Sequence, residues 1–286
     1  MNQRNVILDK IEIIPPLPVS VIEVMKIVED PDHDVNELIN TIEYDPGLTA
    51  NVLRLANSSY YGGTHRIGSL RQAIVRLGGS QLSQLVLVSL VAPIAKPEIK
   101  GYDMPSGELW LHSVTAAMGV KILAKELSLD INDTIFTAAL LHDLGKIVLG
   151  TFIEIDSAPI MKLAFEENLS FEIAEQEVLG IDHAEVGSIL LNRWDFPQDI
   201  IETVRWHHEP EQVTKNSVMV DLVHIADQII VTSGIGGIGK DGLNYRCSKI
   251  SADRLNISTT IIETVLCKVV ENLDELKESL GINPGR

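Results

Sequence analysis

Apolar residues recur along the chain at intervals of three and four, between capping residues and glycines, a pattern that predicts helices from end to end. Asp34 and Glu37 stand at capping-box spacing. Asp45-Pro46 places an N-cap before a proline at the first helical position, and Leu48, Val52, Leu55 and Ala56 then keep a helical interval. Residues 69–77 are apolar at 70, 73, 74 and 77 and stop at Gly78-Gly79; a second apolar run begins at Leu82, so two packed helices are expected. Residues 93–107 hold three prolines and two glycines among few apolar positions and mark a junction between two halves. Beyond it, Ser106, Asp133, Ser170, Asp182 and Ser217 stand at or near the starts of apolar-periodic stretches, and Gly180 and Gly234 close two of them. No stretch alternates with period two for long enough to be a strand. The expected fold is all-α: an N-terminal helical bundle over residues 1–100, packed on a larger helical bundle over 101–286. Residues 258–280 should supply one further amphipathic helix folded back on the body.

Composition narrows the field. The 286 residues include 40 acidic against 23 Lys and Arg, a formal net charge of -17, with 45% hydrophobic residues. That hydrophobic content suits a folded body carrying its charge outside. The acidic excess argues against nucleic acid or anionic membrane as partner, because those surfaces attract clustered cations. Cys247 and Cys267 lack the number and spacing of a disulfide framework or a zinc knuckle, which suits a reducing compartment. The N-terminal residues show no long apolar run before their prolines, and the apolar run 85–94 is far short of the roughly 20 residues that span a bilayer. A soluble, cytoplasmic protein is expected.

One chemical signal stands out. Of eight histidines, six lie in the second half: His112, His142, His183, His207, His208 and His224. His142 and Asp143 sit inside TAALLHDLGKIVL, whose apolar flanks imply a buried helix, and a buried carboxylate demands a partner. A divalent metal supplies one: imidazole and carboxylate suit Fe, Mn, Zn, Co or Ni, and one aspartate can bridge two ions. His183 in GIDHAEVG, His207-His208 in RWHHEP and Asp227 in LVHIADQII repeat the theme of polar ligands in apolar helical runs, the way helical bundles build internal metal sites.

The order His112, His142-Asp143, His183, His207-His208, Asp227 resembles the HD superfamily of metal-dependent phosphohydrolases, and HDLGK is similar to the HD-x-GK variant of its HD-GYP branch. In the N-terminal half, PPLP, YDPGLTANVLRLANSSYYGG and IGSLRQAIVRLGG resemble the HDOD family, an HD-related fold used in bacterial signal output; the similarity runs over residues 14–227. The resemblance implies an HD-like C-terminal bundle and, within it, a site of two divalent ions, with Fe, Mn, Ni or Zn as candidates. One ion would be held by His112, His142, Asp143 and Asp227. The second would share Asp143 and take His183 and His207, with His208 as a further ligand or donor. Asp143 and Lys146 would be the catalytic pair of a phosphohydrolase, Lys146 orienting an anionic group from one helical turn beyond Asp143; alternatively Lys146 is an exposed lysine favoured by the helix C-terminus. The GYP element of the cyclic-dinucleotide phosphodiesterases is missing, since EPEQVTKNSVMV follows His208, whereas the metal set that HDOD proteins commonly lose in part is complete.

Two functional readings follow. One is a regulatory output module with a metal site, its partners signalling proteins; the other is an active metal-dependent phosphohydrolase acting on a phosphorylated small molecule. Residues 234–240, GIGGIGK, approach phosphate-loop spacing, but Asp241 replaces the Ser or Thr and no strand precedes it, so a mobile glycine-rich loop beside the site is expected. Asn57 and Gly62-Gly63 should end a helix and turn the chain, with Tyr60 and Tyr61 anchoring the turn on the core; His33 and His65 are loop residues without a role.

Overall fold

The computed structural model describes residues 3–14, 23, 24, 27, 34–43, 45–61, 66–213, 217–236 and 247–282. Among these residues it is all-helical and has no strand, only an isolated Ile99–Met104 bridge. The N-terminal half contains α1 (Gln3–Glu12), α2 (Val35–Glu43), α3 (Pro46–Ala56), α4 (Leu70–Leu77) and α5 (Gly79–Ala95). The expected caps form: Asp45 Oδ1 accepts the Leu48 N–H at 2.9 Å, and Ser69 Oγ accepts that of Gln72 at 3.3 Å. Asn57 ends α3 and clamps the chain beyond, its amide nitrogen donating to Ile67 O and its amide oxygen accepting the Ile67 N–H. Tyr60 and Tyr61 meet edge to face against the core, as expected; Gly62, Gly63, His33 and His65 lie outside the described residues.

Helix α5 continues through Pro93 to Ala95, so the irregular part of the expected junction begins at Lys96. A proline this close to a helix end removes one backbone bond, and the preceding turns are held by the buried Leu85, Val86, Val88 and Val91.

The C-terminal half is organised around α6 (Glu108–Glu126), which packs against α7 (Thr134–Leu141), α13 (Ser217–Thr232) and α15 (Thr259–Glu271). Between them run α8 (Leu144–Ile147), α9 (Ala158–Glu167), α10 (Phe171–Leu179), α11 (His183–Arg193) and α12 (Gln198–Trp206), with α14 (Lys249–Arg254) beside α13 and α16 (Leu273–Leu280) closing the chain. Asp182 caps α11 by accepting the Glu185 N–H at 2.6 Å, but Asp133 spends its carboxylate on Lys121, 2.6 Å away, instead of capping α7. The expected single C-terminal helix is two helices, because Asn272 leaves the helical conformation (φ -108°, ψ 5°) and turns the chain.

Both chain ends cross between the halves. Arg4 of α1 donates to Gly180 O at 2.7 Å and pairs with Glu185, while Arg193 donates to Ile11 O. At the other end Arg54 and Lys96 bind the last carbonyls of α16, Ser279 O and Leu280 O, where cations suit the helix dipole. Among the described residues, Thr134–Phe152 is the one stretch long and apolar enough to cross a membrane, and 89% of its apolar window is buried in this body.

Candidate metal centre

The His-Asp pair does not lie inside a continuous helix. Helix α7 stops at Leu141, Asp143 takes a bridge-region conformation (φ -96°, ψ 13°), and the chain restarts as the single turn α8 followed by a π-type turn, Val148–Phe152. His142 contributes to the break: its Nδ1 donates to Ala139 O at 2.7 Å, taking a carbonyl of the preceding turn. The break rotates Asp143 toward α11. Gly145 permits the approach, because a Cβ at this position would stand 1.8 Å from His183 O and 2.9 Å from Gly187 N.

Five helical segments thereby converge. His112 comes from α6, His142-Asp143 from the α7–α8 break, His183 from the first turn of α11, His207-His208 from the end of α12 and Asp227 from α13. All are buried except the half-buried His208. His112, His142 and Asp143 form one group, with Asp227 beside its two rings, and Asp143, His183, His207 and His208 form a second, so Asp143 is shared. In the first, His112 Nε2 lies 3.1 Å from both His142 Nε2 and Asp227 Oδ1, and both imidazoles stand 3.4 Å from Asp143 Oδ2. In the second, Asp143 Oδ1 lies 3.4 Å from His183 Nε2 and 3.9 Å from His207 Nε2, and His208 Nε2 is 2.9 Å from His183 Nε2. The two oxygens of one carboxylate thus face different groups.

The outer nitrogens orient these rings. His183 Nδ1 donates to Glu175 Oε2 at 2.6 Å and His207 Nδ1 to Val204 O at 2.8 Å, as His142 does to Ala139. With Nδ1 committed as a donor, loss of the second ring proton would leave a lone pair on Nε2 facing Asp143. Donors about 2.0–2.2 Å from a common ion lie roughly 3–3.5 Å from one another, the range of most of these separations. His207 Nε2 and Asp143 Oδ1 are buried without a hydrogen-bond partner among the described residues, a costly arrangement for a protein-only network. The donor set therefore fits one or two divalent cations.

Charge among these side chains is strongly divided. Burial opposes ionisation of Asp143, but Lys146 and His142 hold its carboxyl well below the usual range. Burial likewise opposes protonation of His142, yet Asp143 and Asp227 raise it to about 10; His183 is raised to about 10 against its burial by Glu175 and Asp143. Burial and the neighbouring imidazoles push His207 and His208 well below the ordinary value.

The remaining candidates sort clearly. Lys146 is not an exposed helix-end lysine: it is 5% exposed, with Nζ 2.9 Å from Asp143 Oδ2. His224 is a tie rather than a ligand, donating through Nδ1 to His207 O at 2.7 Å and accepting the Ser248 N–H through Nε2 at 2.8 Å. Gly236, at φ 83°, backs onto His112, where a Cβ would meet His112 Cβ at 2.6 Å; Gly236 thus borders the site, and residues 237–246 lie outside the described residues. Sequence reasoning missed Glu175, which is fully buried and accepts from the His183 N–H, His183 Nδ1 and the Tyr102 hydroxyl. Its signal was present: Glu175 occupies the i+4 place of the stripe Phe171, Ala174, Leu179, where an apolar residue belongs.

Comparison with known proteins agrees with this architecture. An HDOD domain protein of unknown function from Geobacter sulfurreducens superposes with a TM-score of 0.76 at 25% identity, covering 98% of this chain and 95% of its own. A Marinobacter aquaeolei VT8 structure, provisionally named a signal transduction protein, gives 0.71 at 17% identity over 98% of this chain and 65% of its own. A Shewanella amazonensis SB2B structure, provisionally named a metal-dependent phosphohydrolase, gives 0.58 at 18% identity over 98% and 99%. An uncharacterized protein of Treponema pallidum (strain Nichols) is 26% identical over 228 residues, 78% of this chain but 43% of that protein, so the chain spans less than half the length of this relative. The HDOD domain model matches residues 14–210. A match over more than half of the sequence, on a helical body of the same shape, means that this chain belongs to the HDOD family.

Proposed function

We propose that the chain is a regulatory output module of the HDOD type, organised around a two-ion centre. His112, His142, Asp143 and Asp227 hold one divalent ion; Asp143, His183, His207 and His208 hold the other. The observation that carries this reading is the sharing of Asp143 between two donor groups, in which the His142, His183 and His207 rings are already oriented by bonds from Nδ1 on their far sides. The donors come from five helical segments, so ion binding would fasten those segments to one another and couple occupancy to the shape of the C-terminal half. Its partners on this reading are signalling proteins. The net charge of -17 supports neither nucleic acid nor an anionic membrane in that role. Elemental analysis of the purified protein against Asp143→Ala tests the centre: two Fe, Mn, Ni or Zn ions per chain are expected, falling to none or one in the variant. Equal metal content would refute it.

A second reading, a metal-dependent phosphohydrolase, is favoured by one observation: a buried Lys146 adjoins the carboxylate that the two donor groups share. Bound ions would supply Lewis acidity and lower the pKa of a coordinated water. Asp143 would fix their spacing, and Lys146 would hold Asp143 in place and orient an anionic group. Turnover of phosphomonoesters, nucleotides or cyclic dinucleotides by the metal-loaded protein, abolished in His142→Ala, would establish this reading over the first.

A further inference from the structure

The buried centre reaches the surface beside His208, and the surroundings of that ring are predominantly acidic. Two recesses of about 340 and 290 Å³ adjoin it, both bounded by Glu172, His208 and Glu209. Glu211 lines the first, and Glu177 and Asp182 line the second. Arg205 is the one cation among the described lining residues. It is committed to Asp182 at 3.7 Å and Glu185 at 3.9 Å, and lies 4.1 Å above the Trp206 ring. Low-dielectric walls focus such a field, which concentrates cations and repels phosphoryl anions.

Two polar groups in this mouth have no partner among the described residues. Gln228, 6% exposed, has an unbonded amide nitrogen and lines the larger recess. Glu172 accepts from the Ser170 hydroxyl through Oε1, but its Oε2 is buried and unbonded. A hydrated divalent cation matches this environment: its positive charge suits the carboxylates, its bound waters can donate to Glu172 Oε2, and an outer water held by that shell can accept the Gln228 amide N–H.

We propose that this mouth is a cation-loading vestibule, in which Glu172 and Glu209 hold a hydrated divalent cation beside His208 before it reaches the buried donors. The inference rests on the two-ion reading, and it also assigns a ligand class: what enters here is a cation, not a phosphoester. The test is stopped-flow association of Co²⁺ with the full chain, read by quenching of tryptophan emission, with Trp206 next to His207 as the reporter. Equilibrium titration of the same samples gives stoichiometry. Glu209→Gln/Glu211→Gln, at exposed positions, and a triple variant adding Glu172→Gln should bind the same number of Co²⁺ ions. Their association should be about tenfold slower or more, with the difference collapsing at high salt. Unchanged association rates with normal stoichiometry would overturn the vestibule and leave the centre standing. No Co²⁺ binding by the unaltered protein would overturn both.

Discussion

Gly145→Ala tests how the two donor groups are brought together. The added methyl would stand 1.8 Å from His183 O and 2.7 Å from His183 C, both backbone atoms that cannot rotate aside. Restoring ordinary contact requires α8 and α11 to separate by roughly 1.5 Å. A crowded interface of this kind costs about 1–3 kcal/mol of stability. The sharper consequence is local. Asp143 Oδ1 and His183 Nε2 stand 3.4 Å apart across this contact, and metal bonds tolerate errors of only ~0.2 Å. The first group reaches Asp143 from α6, α7 and α13, away from the Gly145 contact. Elemental analysis and a chelator-competition titration of the variant should therefore show one ion lost or greatly weakened and one retained, with a lower Tm. Two ions bound at undiminished affinity would refute the account of Gly145, and loss of both would refute the independence of the two groups.

Three further outcomes are expected. Gly236→Ala should do the reverse, because its methyl would strike His112 Cβ at 2.6 Å from a backbone at φ 83°; titration should show the first ion weakened and the second retained. Glu175→Gln should weaken the second ion about 10–100-fold in the same titration, since the amide replaces the carboxylate that takes two bonds from His183; an unchanged affinity would show that Glu175 does not orient the ring. Finally, although half-burial alone would raise the Asp133 carboxyl, hydrogen bonds from Lys121, Ser80 and Gln84 hold it below the ordinary value. A depressed acid stabilises the fold above its unfolded pKa, near 4, and that contribution is lost as pH falls through the folded value. Asp133→Asn should thus remove about 1 kcal/mol or less of stability above that range, the pair being partly exposed, and flatten the acid limb of Tm against pH; an identical acid limb would show the bond to be inconsequential.

The sequence carried the helical fold and the donor residues because both are written in residue type: capping residues at apolar-periodic starts, and His or Asp where the apolar pattern expects a hydrocarbon. It was less legible where backbone geometry decides. The apolar flanks of His142 and Asp143 read as one continuous helix, since periodicity cannot register that the His142 ring takes the Ala139 carbonyl or that Asp143 leaves the helical region. The same blindness merged α15 with α16, where a single asparagine conformation makes the break. Lys146 illustrates the converse: its chemistry was visible, but only packing shows that it faces Asp143 rather than water.

These misses share a cause that bears on the site itself. Metal ligands can be counted along a chain, but a two-ion centre requires one carboxylate to face two groups from opposite sides. Here that orientation depends on a broken helix and on a glycine that touches the backbone of the opposite helix. On the two-ion reading the HDLGK motif combines two roles within five residues: His142 and Asp143 would provide donor atoms, and Gly145 sets the distance at which α11 brings up His183. On that reading, a chain that kept every donor but lost this glycine would look complete by ligand count and yet is expected to bind one ion. That makes backbone spacing, alongside ligand identity, a determinant of whether such a chain can build the whole centre.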